Sequence, residues 1–216
     1  GCGAADALES GSRNIAIGEH TMGTSTNGAC NIAIGYAALK TSANDGHFNI
    51  AIGCYALGGG DLSGNDNIAI GSNAMDLLST GACNIAMGIN ALGAATTGCD
   101  NIAIGQGTIG TGTTTGHINI AIGYNSLNAV GTGSGNVGIG DNALNVVTSG
   151  SCNVAIGRKA LGVAVITGHD NVAIGNSAAD ALTSGACNVA IGLNALGAAT
   201  TSIYNIAIGP GAMSDG

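Results

Sequence analysis

One pentapeptide recurs from end to end of the chain, and this repetition constrains the fold more than any other feature of the sequence. Each copy reads Asn-Ile/Val-Ala-Ile-Gly, except where Met87 and Gly138 interrupt the consensus. Successive copies lie 17 or 18 residues apart. The copies begin at Asn14, Asn31, Asn49, Asn67, Asn84, Asn101, Asn119, Asn136, Asn153, Asn171, Asn188 and Asn205.

The pentapeptide alternates with period two, which is the pattern of a short β-strand. Gly and β-branched residues fill the strand positions and are poor helix formers. The two Ile or Val side chains therefore share one face, and Asn and Ala share the other. We expect the isoleucine face to be buried inside the coil, with its members stacked on one another. The predicted core residues are Ile17, Ile34, Ile52, Ile70, Ile104, Ile122, Ile156 and Ile174.

Strands that return at a fixed interval, with no helix between them, stack in parallel as the rungs of a solenoid. We predict an all-β parallel β-solenoid (β-roll or β-helix) of about twelve coils, forming a single repetitive unit over residues 1–216. A Leu or Met column eight residues after each Asn, such as Leu39, completes the predicted interior. The rest of each coil reads as a variable polar link, and we expect the extra residue of the longer repeats to bulge outward there.

Two columns on the other face of the strand leave alternatives open. Stacked Asn side chains can hydrogen-bond along the rod as a ladder, or each can cap its own turn. The Ala column, from Ala16 to Ala207, either meets another chain closely or lines the second half of its own coil. Both roles of the Asn column are structural.

Composition excludes several classes of function. The net charge of −8 and the presence of only four Lys and Arg residues argue against nucleic acid and anionic membranes as partners. No apolar run is long enough to span a bilayer. A hydrophobic content of 45% argues against disorder. We find no catalytic constellation, and we predict no enzymatic activity, no cofactor and no metal.

Cysteine and histidine each recur in one column near the strand. Cys30, Cys83, Cys152 and Cys187 directly precede the Asn, and the nearest pair is two rungs apart. That separation exceeds the reach of a disulfide, so we predict free thiols. His47, His117 and His169 lie two residues before the Asn on rungs too distant from one another to share a metal ion.

The unit Gly-x-x-Asn-Ile-Ala-Ile-Gly-x-x-Ala-Leu resembles the head repeats of trimeric autotransporter adhesins and the similar repeats of bacteriophage tail fibres. The resemblance covers the whole chain, although the adhesin unit is typically shorter. It implies left-handed parallel β-rolls that associate as homotrimers about a threefold axis. Free cysteines favour the phage-like origin, because phage fibres assemble in a reducing cytoplasm.

We therefore expect a structural segment of a phage tail fibre or adhesin that provides reach and presents outer loops to a host cell-surface receptor. The expected location is a virion tail fibre or the extracellular surface. The chain opens on a partial repeat, and a solenoid needs polar caps. We therefore expect flanking fibre domains or end-to-end stacked copies. The alternative is an ice-binding solenoid, suggested by a Thr column at Thr80, Thr97, Thr115, Thr132, Thr167 and Thr201.

Overall fold

The computed structural model describes residues 1–41, 46–112 and 114–215, and this part of the chain is all-β. Each pentapeptide forms a strand of three residues, and the strands pair in parallel into one sheet of twelve. The predicted parallel β-solenoid is confirmed. The strands of this sheet are β1 (Ile15–Ile17), β2 (Ile32–Ile34), β3 (Ile50–Ile52), β4 (Ile68–Ile70), β5 (Ile85–Met87), β6 (Ile102–Ile104), β7 (Ile120–Ile122), β9 (Val137–Ile139), β11 (Val154–Ile156), β13 (Val172–Ile174), β14 (Val189–Ile191) and β15 (Ile206–Ile208).

The strand register is the same at every rung, whichever repeat length separates two strands. Ala16 pairs with Ala33 across 17 residues, and Ala33 pairs with Ala51 across 18. The extra residue of a long coil is therefore absorbed in the link, as predicted, and identical side chains form columns along the rod.

A second, smaller parallel sheet lies in the link of three coils. Its strands are β8 (Ala129–Val130), β10 (Val146–Val147) and β12 (Val165–Ile166). Val130, Val147 and Ile166 are fully buried. β-branched residues favour extended backbone on a half-buried surface, which accounts for regular strands in these links.

The prediction that the isoleucines fill the coil was wrong, because the strand presents its opposite face to the interior. The strand-centre alanines from Ala33 to Ala190 are fully buried, whereas Ile17 is 58% exposed and Ile104 is 38% exposed. The stacking of the column itself is as predicted, since the strand pairing sets isoleucine on isoleucine. The isoleucines that were predicted to lie in the core are instead half-buried or exposed on the outer face: Ile17, Ile34, Ile52, Ile70, Ile104, Ile122, Ile156 and Ile174.

The physical reason is the small volume available beside the strand. On the rung where Gly138 replaces alanine, an added Cβ would lie 2.6 Å from Ser126 Oγ and 3.2 Å from Leu127 Cδ1. Ser126 takes up this space and donates a hydrogen bond of 2.8 Å to the carbonyl oxygen of Gly138. The interior at the strand centre therefore holds about one methyl group, and a branched side chain there would overpack the coil.

Longer side chains fill the interior from the other walls of the coil. The Leu and Met column is buried as predicted, except for Met213 on the last rung, which is 49% exposed. The link is less polar than predicted, because in most of the coils whose link the structure describes it contributes a further buried apolar residue, such as Leu62, Leu78 or Val147. The strand, the Leu and Met column and the link thus fill one narrow core with small, long and medium-sized side chains, respectively.

The corners of the coil depend on unusual backbone conformations. In the coil that begins at Asn31, the left-handed residues Ala37, Leu39 and Phe48 have φ of 53°, 51° and 57°. The glycine that ends each strand goes further: Gly105 has φ of 129°, and a Cβ there would lie 2.5 Å from the carbonyl oxygen of Gly123 on the next rung. Only glycine fits this corner without strain.

Candidate functional site

The asparagine column is a continuous ladder of hydrogen bonds inside the rod. Asn101 Oδ1 accepts from the backbone N–H of Asn119 at 2.9 Å and from its Nδ2 at 3.1 Å. Asn101 Nδ2 donates to the carbonyl oxygen of Gly116 at 3.0 Å. Each side chain thus satisfies backbone groups of the following coil, so the ladder alternative is the correct one.

This ladder explains why a polar residue occupies the core. Asn31 to Asn188 are 0–1% exposed, and an unpaired amide at such depth costs roughly 1–3 kcal/mol. The primary amide supplies an acceptor and two donors at one position. Repetition of Asn at this position therefore stabilises the stacking of coils.

The outer face of the twelve-stranded sheet carries two columns of apolar side chains, which we call the isoleucine strip. The strip consists of the first and third residues of every strand. Its members are Ile15, Ile17, Ile32, Ile34, Ile50, Ile52, Ile68, Ile70, Ile85, Met87, Ile102, Ile104, Ile120, Ile122, Val137, Ile139, Val154, Ile156, Val172, Ile174, Val189, Ile191, Ile206 and Ile208.

Exposure along the strip depends on position. At the ends, Ile17 and Ile208 are 58% and 67% exposed, whereas central members such as Ile70 are partly covered by the neighbours of their own columns. Every strip residue is apolar, so the surface is continuous and uncharged from β1 to β15. Continuous apolar surfaces of this kind are typical of interaction sites.

One of the two alternatives for the Ala column is excluded by burial. The Ala column cannot meet another chain, because its members line the coil interior, which was the second alternative for this column. Leu39, Leu57 and Leu92 are 0–1% exposed, which agrees with the predicted interior position of their column. The signal that could have distinguished the faces is side-chain volume: eleven rungs of Ala and one of Gly, beside a column of long Leu and Met side chains, indicate the crowded side.

The cysteine column lies at the turn before each strand, and all seven cysteines of the chain are free thiols. Partial desolvation raises the pKa of the Cys83 thiol, and the carboxylates of Asp100 and Asp66 on the adjacent rungs raise it further. Thiolate formation is thus disfavoured at Cys83, which makes this residue a poor nucleophile.

In the neighbouring column, two of the three histidines accept a hydrogen bond from a backbone N–H group. His47 Nδ1 accepts from the N–H of Ala29, and His117 Nδ1 accepts from the N–H of Cys99, both at 3.0 Å. His169 Nδ1 instead lies 2.7 Å from Asp170 Oδ2. The histidine column therefore contains two structural members and one with a different environment.

Aromatic side chains form a small cluster near the first rungs. Tyr36 and Tyr55 meet edge to face, with ring centroids 5.5 Å apart. The side-chain hydrogen bond between them raises the pKa of the Tyr36 hydroxyl. The edge-to-face arrangement provides no flat stacking platform for a sugar ring.

A shallow polar groove crosses the corners of four coils and is lined by Asn73, Asp76, Asn90 and Asn125. Burial raises the pKa of the Asp76 carboxyl, and the backbone N–H of Gly59 offsets part of this effect. The groove offers amide and carboxylate groups and no recognisable catalytic pair.

Comparison with known proteins returned no relative: no protein-family model, no curated protein and no solved structure matches the chain. In the part of the chain that the structure describes, none of the elements is a helix with the length and apolarity needed to cross a bilayer.

Proposed function

We propose that this chain is a self-associating rod, a structural segment of an extended fibre or adhesin in which copies lie side by side along their isoleucine strips. The observation that carries the proposal is the unbroken apolar column pair on the outer face of all twelve strands. A soluble monomer rarely exposes so long an apolar surface.

The occupant of the strip is a second copy of the chain. The strip presents no charged group for an acidic or basic partner, and its repeat along the rod matches only a surface with the same spacing. Twelve rungs at about 4.8 Å give a strip about 55 Å long. At a width of about 10 Å, two strips bury on the order of 1,000 Å² in total, the lower bound of specific interfaces.

Three chains satisfy this geometry better than two. A strip one strand wide is narrow relative to its length, and three such strips can converge on a common axis, so that each side chain contacts both neighbouring chains. The resemblance to trimeric adhesins and phage fibres implies the same number. A parallel arrangement also brings equivalent rungs to the same height.

The role of the assembly is mechanical. Regular stacking of coils, joined by the asparagine ladder, gives a stiff rod whose length is set by the number of repeats. We place this rod in a virion tail fibre or at a cell surface, where its links provide the outer surface for contact with a host receptor. No reaction is assigned to it.

Ile104→Asp tests the proposal. Three charges brought together at the axis should reduce the sedimenting species from trimer to monomer, because burying unpaired carboxylates is costly. Circular dichroism should stay that of the native solenoid, since Ile104 faces outward. Val163→Asp is the matched control, because Val163 is 66% exposed and lies outside the strip. A wild-type monomer at all concentrations, or unchanged assembly of Ile104→Asp, would refute association through the strip.

One observation favours the ice-binding alternative. The Thr column is exposed on every rung where it occurs, including Thr97 and Thr132. It is a single column at a turn, whereas ordering of a water lattice requires a flat array. Measurable thermal hysteresis that is lost in Thr97→Lys would support this alternative, and its absence at high protein concentration would remove it.

A further inference from the structure

Near the C-terminal end of the rod, three potential metal ligands from two adjacent coils converge. Among the described residues, the donor atoms of His169, Asp170 and Cys187 all lie within 4.8 Å of one another. His169 and Asp170 precede Asn171 on one rung, and Cys187 precedes Asn188 on the next. The group combines members of two sequence columns, so neither column alone reveals it.

The position of the His169 ring supports a role other than the one its column usually plays. His47 and His117 each use Nδ1 to accept a backbone N–H from the preceding rung. His169 Nδ1 is directed to the carboxylate of Asp170, at 2.7 Å. His169 thus departs from the backbone-capping pattern on the rung where an acidic residue and a thiol are its neighbours.

From this convergence we infer a binding site for a divalent transition-metal ion of the zinc class. Imidazole, carboxylate and thiolate are the three ligand types that zinc accepts, and three protein ligands leave one position for water. Ligands of a tetrahedral zinc ion lie about 3.3–3.8 Å apart. The donor atoms that lie farthest apart therefore need to approach by at most about 1–1.5 Å, and His169 Nδ1 and Asp170 Oδ2, now 2.7 Å apart, need to separate slightly. Side-chain rotation provides this, because His169 and Asp170 are 61% and 56% exposed.

Binding requires specific proton and charge changes. The Cys187 thiol loses its proton to solvent as the sulfur–metal bond forms, and the His169 imidazole binds as the neutral ring through one nitrogen. Asp170 contributes a carboxylate oxygen. The ion would join two consecutive coils through side chains, next to the asparagine ladder that already joins them through Asn171 and Asn188.

Cysteine protection measured residue by residue tests the inference on the whole chain. Zn²⁺ should slow alkylation of Cys187 about tenfold or more, since coordinated thiolate is withdrawn from reaction, while Cys30 and Cys83 react as before. His169→Ala should abolish this protection. His117→Ala is the matched control, because His117 occupies the same column on a rung where it caps backbone, and there protection should persist.

Co²⁺ provides an independent readout, because a cobalt–thiolate bond gives a charge-transfer absorption band in the near ultraviolet. The band should appear with wild-type protein and disappear in Cys187→Ser and His169→Ala. Unchanged alkylation of the other cysteines in these variants shows that the fold is intact. Equal protection of all seven cysteines, or protection of Cys187 that survives both His169→Ala and Asp170→Asn, would overturn the site.

Discussion

The two faces of the same strand differ in size, polarity and purpose. The inner face combines Asn and Ala, which are fully buried, and the outer face combines two large apolar residues that remain partly accessible to solvent. A globular sheet would place its large apolar residues inside. The solenoid reverses this arrangement because the coil is very narrow beside its three-residue strand. The long side chains of the Leu and Met column already fill most of the interior from another wall. Hydrophobicity therefore identifies a buried face only when the available volume is also considered.

Enlarging the inner face should give the largest effect. Ala103→Leu places a branched side chain where the interior accommodates one methyl group, and we expect a loss of about 3 kcal/mol or more in the free energy of unfolding. Denaturant unfolding followed by circular dichroism measures the change. On the outer face, the volume-conserving Ile104→Leu should cost less than about 1.5 kcal/mol. Equal costs for the two substitutions would remove the distinction between the faces.

Removing one member of the ladder should have the next largest effect. Asn101→Ala leaves the backbone N–H of Asn119 and the carbonyl oxygen of Gly116 without their partners. With about 1–3 kcal/mol for each of these two buried unsatisfied groups, we expect a loss of about 2 kcal/mol or more in total. Thermal unfolding of Asn101→Ala measures this loss. Asn176→Ala is the reference variant, because Asn176 is an exposed asparagine outside the ladder. A stability equal to that of the reference would mean that water replaces the ladder.

We expect the smallest effect from the half-buried carboxyl of Asp76, which lines the polar groove. The pKa of Asp76 is raised by burial, so its ionisation is harder in the folded chain than in the unfolded one. Stability from this group is therefore present at low pH and lost as pH rises through the folded pKa. Asp76→Asn should be slightly more stable than the wild type at neutral pH, and the difference in melting temperature should vanish on acidification. A gap that widens towards low pH would reverse the sign of this argument.

The repeat predicted the architecture because each coil contacts only the coils next to it. The spacing of the strands, the alternation of their residues and the positions of the glycines can all be read from the sequence. Parallel strands, register and the buried Leu column agree with the structure. Period two assigns residues to the two faces of a strand but does not tell which face points into the coil. The inward face could therefore not be predicted from this pattern. For this reason Ile104 was assigned to the interior, whereas for Ala103 the structure agrees with the second of the two alternatives, in which the Ala column lines its own coil.

The surfaces were harder to predict than the fold. Once Ile104 is placed outside, the strip follows directly from the sequence columns. The group at His169 required side-chain positions, because His169 and Cys187 lie in different columns and meet only across two rungs. The buried link residues, such as Leu78 and Leu62, were concealed because their distance from the next Asn differs between short and long coils.

Intermolecular methyl contacts test the central claim most directly, namely that the isoleucine strip faces out and is covered by another copy. In a sample that mixes two differently labelled populations of the chain, isotope-filtered NOE spectra separate contacts between chains from contacts within one. This arrangement predicts intermolecular contacts at Ile70, Ile104 and Ile122, each with the same or an adjacent rung of a neighbouring chain, and purely intramolecular contacts between Ala103 and Leu92. Intramolecular contacts between Ile104 and Leu92, together with intermolecular contacts at Ala103, would contradict it.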